Sequence, residues 1–308
     1  MFSSSENLLT AGVILTTGYL IKWVFNLVPV TCSRGLQMTA PLYRKGRSQK
    51  DLETLKADPH YQNWLSRFLS NIVDSPFGDQ RITASEIQVD DVDMFGPRFG
   101  FGKFKVVTEP FVPSIVFHRS PSVCVLFLVN CEGNTYGLLT VQARVPSGYR
   151  YLPELLAGMM DAETGQCRLI AAKEVEEEAG IKIDPERLVD LGNADHFTNN
   201  ITDHICKSSE EAWDWFRQGD PSKTHEGYFN SPGGSSESTK FYLYEEQMTR
   251  PQLQTMVKRL ETDEHGLKSE GELIRLMLVP INHLLDMAPD MKVGHALALR
   301  ERHHRRVF

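Results

Sequence analysis

Three glutamates carry the most pointed chemistry in the chain. Glu174, Glu177 and Glu178 lie in the run LIAAKEVEEEAGI at i, i+3 and i+4. That spacing places the three carboxylates on one face of a helix. Like charges so close repel, and the arrangement costs free energy unless a cation sits among them. Hard divalent ions such as Mg2+ take oxygen ligands and would be that cation. A plainer reading stands beside it, because runs of glutamate on a helix are commonly solvated faces. The surrounding residues point to the element itself. From Leu169 onward they are good helix formers, and Gly180 is placed to close the helix in a left-handed cap. Ala171, Val175 and Ala179 recur every four residues as a stripe that can pack against a sheet.

The rest of the chain must hold that helix. Its 308 residues, 41% of them hydrophobic, suffice to build one large domain or two modest ones. The net charge of -7 is spread unevenly: residues 1–50 hold six basic residues and one acid, leaving 27 basic against 39 acidic residues beyond them. An acidic body argues against a nucleic-acid partner and suits a protein that recruits metal before it meets an anionic substrate. Five cysteines (Cys32, Cys124, Cys131, Cys167, Cys206) form no CxxC pair and imply neither a zinc site nor a disulfide framework. A reducing compartment is expected, with Cys124 as a core residue inside an apolar run.

Residues 8–30 are mostly apolar but are interrupted by Lys22 and Asn26, and the clean run over 8–21 is too short to span a bilayer alone. From residue 7 to residue 50 there is no acid, and serines and threonines stand among basic residues. That is the composition of an organellar targeting region, for plastid or mitochondrion. A membrane anchor making contact through residues 8–30, and a structural helix in a cytoplasmic protein, are the alternatives. The body is expected to start near Asp51. Residues 61–73 read as an amphipathic helix with Trp64, Leu65, Phe68, Leu69 and Ile72 on one side. Strand patterns follow at 82–89, 98–107, 114–118, 123–130 and 134–143, the last after a turn at Glu132-Gly133-Asn134. The almost continuous apolar run at 123–130 is expected to be central. Strands followed by the glutamate helix predict a mixed α/β architecture.

The stretch GMMDAETGQCRLIAAKEVEEEAGI, residues 158–181, resembles the signature of the Nudix hydrolases. Gly158 opens the box, and Glu174, Val175, Glu177, Glu178, Gly180 and Ile181 fill its second half in register. Two departures stand out. The span from Gly158 to Gly180 is one residue longer than the signature, so its early glutamate is either Glu163 or replaced by Thr164. Its arginine, which braces the catalytic glutamates in the family, is Lys173, which keeps the charge but lacks the planar fork. DVDMFGPRFGFGKFK, VPSIVFHRSPSVCVLFLV, YGLLTVQARVPSG, LPELLAGMMD and FNSPGGSSESTKFYLY resemble the plant plastid-type ADP-sugar diphosphatases, a branch related to ADP-ribose pyrophosphatases. The likeness implies a Nudix α/β/α sandwich with a mixed sheet, preceded by a small N-terminal β-rich domain, and a homodimer. The implied divisions are a targeting or anchor segment at 1–50, an N-terminal helix and small β-domain at 51–115, a Nudix domain at 116–301 with an insertion at about 196–225, and a basic tail at 302–308.

The resemblance also implies roles. The Ala157 carbonyl of ELLAG, with Glu174, Glu177 and Glu178, would hold Mg2+, with Mn2+ as a substitute. Arg144 matches the arginine that meets substrate phosphate; a surface ion pair is its plainer reading. Val141 replaces the glutamate that the family places three residues before that arginine. Glu154 and Glu237, the latter after Ser231-Pro232-Gly233-Gly234, would line the substrate side. The general base would come from the loop GLKSEGELIRLMLVP, as Glu272 or its neighbour Glu270, with Glu177 as a further candidate beside the reacting water. The implied reaction is hydrolysis of the pyrophosphate of an ADP-sugar, ADP-glucose or ADP-ribose, to AMP and sugar 1-phosphate. Another nucleotide sugar or dinucleotide, or a binding protein weakened in turnover, is the alternative. The insertion carries Trp213, Trp215 and Phe216 in EEAWDWFRQ, which read as a small packed helix or as a base-stacking lid. His303 and His304 are expected in a solvated tail.

Overall fold

The computed structural model describes residues 49–69, 83–96, 98–109, 111–112, 114–160, 166–192, 227–262, 265–266 and 273–307. The segment at 1–48 and the insertion with its tryptophans lie outside them. A helix that the residue pattern did not announce comes first, α1 (Gln49–Ala57), and α2 (Pro59–Phe68) follows. α2 begins ahead of the expected start because Asp58 caps it: Asp58 Oδ1 accepts the Tyr61 N–H at 2.8 Å, with Pro59 in the first turn. The last residues of the expected helix, from 70 on, lie outside the described ones. β1 (Thr83–Phe95), β2 (Arg98–Glu109) and β3 (Ile115–His118) form an antiparallel sheet in that order. β1 runs past its predicted end at Val89, because register shifts around Asp90 and Asp93 let a polar stretch keep pairing with β2. Leu52, Leu55, Tyr61, Ile87, Val89, Phe104 and Val106 close this layer into its own core.

The larger sheet is built around β4 (Ser122–Cys131), which is buried almost throughout. Its alternation sends Val123, Val125, Phe127 and Val129 into one core and Cys124, Leu126 and Leu128 into another on the opposite face. With both faces covered, a continuous apolar run is what such a strand requires. A two-residue turn, Glu132 (φ 49) and Gly133 (φ 82), leads into β5 (Asn134–Arg144). β6 (Tyr149–Glu154) pairs with β5, and β7 (Leu156–Met159) pairs with the first half of β4. Then come α3 (Cys167–Ala179), β8 (Val189–Asp190), β9 (Tyr228–Phe229), β10 (Ser238–Gln247), α4 (Arg250–Thr262), β11 (Arg275–Pro280), α5 (Leu284–Met287) and α6 (Met291–Val307). The strand order is β11-β5-β4-β10-β8, with β10 parallel to β4 and β5 antiparallel to it, which makes the sheet mixed. α3 and α4 cover one face, and α5 and α6 the other. The result is the expected α/β/α sandwich.

The residues read as a solvated basic tail behave differently. They continue α6 to Val307, because Arg302 donates to the Leu191 carbonyl at 2.9 Å and Arg300 meets Glu245 at 3.2 Å. His303 and His304 therefore stand on a docked helix, each partly buried. Among the described residues no helix is long and apolar enough to cross a membrane.

A buried polar group ties the two layers together. His118 Nδ1 lies 2.7 Å from Ser236 Oγ, and its Nε2 lies 3.5 Å from Asp58 Oδ1. Burial depresses the His118 pKa, opposed by its contact with Asp58. Burial pushes the Asp58 carboxyl up, but hydrogen bonds from His118 and the Tyr61 N–H outweigh it and hold the group below its usual value. Both groups thus bind protons less readily folded than unfolded. Stability should fall as pH drops below about 6.5, where the unfolded histidine takes up a proton, and again below about 4 for the aspartate. Thermal unfolding across pH should show a melting temperature that declines from about pH 7 to 5, with a shallower slope in His118→Gln.

Candidate active site

α3 approaches β7 closely enough to decide which residues can stand there. A Cβ at Gly158 would lie 1.9 Å from the carboxyl carbon of Glu174 and 2.0 and 2.3 Å from its oxygens. Any larger side chain at that position would have to push the Glu174 carboxylate aside. The neighbouring Glu178 is buried, and its Oε2 accepts the Ala157 N–H at 3.0 Å. In a strand, the N–H and C=O of one residue point to the same edge. The Ala157 carbonyl is therefore presented on the edge where Glu178 sits, away from β4. The apolar stripe explains the fit: Ala171, Val175 and Ala179 are all buried in the core beneath α3. Gly180 closes the helix at φ 64, donating its N–H to the Glu176 carbonyl at 2.9 Å.

The third carboxylate is paired within the helix. Glu177 Oε1 lies 3.1 Å from Lys173 Nζ, one helical turn back. Lys173 thus meets a box glutamate directly, in place of the signature's arginine. Glu163 and Thr164 lie outside the described residues, as do Glu270 and Glu272.

Arg144 stands at the end of β5, just past a register shift between Gln142 and Arg144. Its Nε donates to Glu154 Oε2, and the guanidinium is about half exposed. Both readings of this arginine meet here, an ion pair inward and an accessible edge outward. Glu154 is buried, and its other oxygen lies 3.8 Å from Lys292 Nζ. Lys292 in turn lies 3.3 Å from Asp290 Oδ2. Burial pulls the Lys292 pKa down, but the carboxylates of Asp290 and Glu154 outweigh it and hold the amine above its ordinary value. Cys124 is fully buried on β4 as expected, and burial pushes its thiol pKa up.

Glu237 is likewise engaged. Its Oε2 lies 3.6 Å from Arg119 Nη1, and its Oε1 accepts from Ser122 Oγ at 3.2 Å. The Ser231-Pro232-Gly233-Gly234 turn before it is tied to β3, with the Phe117 N–H donating to the Gly234 carbonyl at 2.8 Å and the Ser236 N–H to the Phe117 carbonyl at 3.1 Å. Lys292, Asp290, Arg119 and Ser122 were not singled out from the sequence. Asp290 carries a readable signal as the cap of α6, accepting the Lys292 N–H at 3.0 Å. Nothing in its local pattern points to Glu154.

No protein-family model matches the chain. It is 35% identical over 263 residues to Nudix hydrolase 14, chloroplastic, from Arabidopsis thaliana, an alignment covering 83% of this chain and 74% of that protein. The chain belongs to the Nudix hydrolase family. A solved structure titled as an ADP compounds hydrolase aligns with a TM-score of 0.41 at 13% identity, covering 72% of this chain and 94% of that one. Nudix hydrolases generally use divalent metal ions such as Mg2+, and the donors at α3 and β7 suit such an ion in kind. Glu174, Glu178 and the Ala157 carbonyl are all hard oxygen donors converging on one short stretch of β7. Among the described residues no three His, Cys, Asp or Glu side chains already converge on one point. Glu177 is held by Lys173 and Glu178 by the Ala157 N–H. Gly158→Ala should displace Glu174 and weaken Mn2+ binding at least about tenfold, or about 1.4 kcal/mol. Isothermal titration checks it, and unchanged affinity would remove Glu174 from the ligand set.

Proposed function

We propose that this Nudix hydrolase cleaves the pyrophosphate of an ADP-sugar, ADP-glucose or ADP-ribose, to AMP and sugar 1-phosphate, using Mg2+, with Mn2+ as a substitute. The observation that carries the reading is the placement of Glu174 and Glu178 together on Ala157 and Gly158, with the exposed edge of Arg144 on the strand that leads there. The likeness of the chain to ADP-sugar diphosphatases supports the substrate class. A divalent cation held there would neutralise phosphate charge and acidify a bound water. Glu174, Glu178 and the Ala157 carbonyl would hold it. Arg144 would bind a phosphate oxygen through its free edge. Glu272 would accept the proton from the attacking water as the bond from phosphorus to the leaving phosphate breaks, with Glu270 and Glu177 as the other candidates. Glu237, fixed by Arg119 and Ser122, would face the sugar. An organellar location is supported by the chloroplastic relative and by the acid-free stretch over 7–50. A homodimer is part of the same proposal.

A second reading rests on the Lys173–Glu177 pair and on Val141: a nucleotide-sugar binder with weakened turnover. A hydrolysis screen over nucleotide sugars with Mg2+ and Mn2+ separates the two. AMP release supports the enzyme, and thermal stabilisation by ADP-ribose without AMP supports the binder. Glu178→Gln, which keeps an acceptor for the Ala157 N–H, should lower turnover about a hundredfold or more, roughly 2.7 kcal/mol. Near-normal activity at saturating Mg2+ would sink that role. In the loop, Glu272→Gln should lower kcat by about a hundredfold with little change in substrate affinity, and Glu270→Gln much less. Steady-state kinetics with separately measured affinity decides between them.

A further inference from the structure

A carboxylate beside a guanidinium ordinarily closes a two-point fork, taking both of its oxygens to the planar edge. Glu154 does not. It meets Arg144 only at Nε, through Oε2, and among the described residues no other acceptor engages that guanidinium. On the other side of the carboxylate, Lys292 Nζ lies 3.8 Å from Oε1. Lys292 is itself fixed, 3.3 Å from Asp290 Oδ2, with its own N–H capped by Asp290 Oδ1 at 3.0 Å. The two carboxylates are the buried members and the two cations the more exposed ones: the Glu154 and Asp290 side chains are 8% and 10% exposed, Lys292 23% and Arg144 41%. The row is charge-balanced, so the buried carboxylates are compensated only while both cations are present. Its arginine end is the most exposed.

We propose that Lys292 is a positioning residue: by occupying one oxygen of Glu154 it limits that carboxylate to a one-point contact with Arg144 and leaves the Nη1 and Nη2 edge for a substrate phosphate oxygen. This rests on the reading that Arg144 meets the substrate's phosphate. Without the lysine, Glu154 Oε1 is released to close the fork on Arg144, and an incoming phosphate must then compete with an intramolecular carboxylate. The effect falls on substrate binding more than on the chemical step.

The test compares Lys292→Met, Lys292→Arg, Arg144→Gln and the double variant Lys292→Met/Arg144→Gln in the full chain, with ADP-ribose as probe. Lys292→Met should raise KM about tenfold with a smaller change in kcat. Lys292→Arg should return KM to within about threefold of the original, because it restores a cation beside Oε1. The double variant should be no worse than Arg144→Gln alone, since the lysine acts only through that arginine. An unchanged KM in Lys292→Met, or effects that multiply in the double variant, overturns the inference. If Lys292→Met does not fold, Asp290→Asn/Lys292→Met restores charge balance and keeps the cap of α6; it should show the same KM increase, and a normal KM overturns the inference. A wild-type chain that releases no AMP from ADP-ribose sinks the proposed activity instead. The same comparison is then read as ADP-ribose affinity by calorimetry, with the same expected and overturning patterns.

Discussion

The seating of α3 on β4 and β7 is the constraint from which the rest of the site follows. Small residues on the buried stripe, Ala171 and Ala179 on either side of Val175, let the helix come close to the sheet. That closeness carries Glu178 into the interior, where a carboxylate without a partner would be costly. The Ala157 N–H, left over from strand pairing at the edge of β7, satisfies it. The same closeness puts the Glu174 carboxylate where a side chain at 158 would stand. Helix distance, buried carboxylate and glycine are one arrangement, and altering any of them disturbs the others.

Electrostatics at the site is organised as short rows that pair carboxylates with cations, one within a helix and two between distant parts of the chain. Lys173 relieves Glu177 within α3 itself. Arg144 and Lys292 share Glu154 between the end of β5 and the start of α6. Arg119, leaving β3, meets Glu237 in the turn before β10. The exposed Lys173 pair contributes little to stability by itself. The buried row around Glu154 is different, because removal of one member leaves an uncompensated charge in a poorly solvated place.

The small antiparallel sheet has a part in this organisation. Its last strand donates and accepts backbone hydrogen bonds with Gly234 and Ser236, and His118 reaches the Ser236 hydroxyl. The turn that carries Glu237 is thereby held from the N-terminal side as well as by β10. Asp58 completes the tie by serving two ends, capping α2 through the Tyr61 N–H and facing His118. A loop between two sheets is given a fixed shape by buried polar contacts, and that shape sets where Glu237 stands.

Much of this was determined by local sequence, because its physics is local. The period of two in SVCVLFLVNC fixes a strand with two buried faces, and the four-residue stripe in α3 with Gly180 fixes a helix, its buried side and its end. The placement of Glu174, Glu177 and Glu178 on one turn of that helix follows from spacing alone. Asp58-Pro59 carried a start signal for α2 that the apolar pattern at 61–73 obscured, and α1, with two buried leucines in nine residues, had too weak a stripe to declare itself. The tertiary structure decided which charges meet. Lys292 lies far along the chain from Glu154, and Arg119 far from Glu237, and nothing in their own neighbourhoods encodes the meeting. Those contacts exist because α6 packs on one face of the large sheet, and because the small sheet is bonded to the turn before β10. The direction in which each glutamate turns depends on which donor that packing brings within reach.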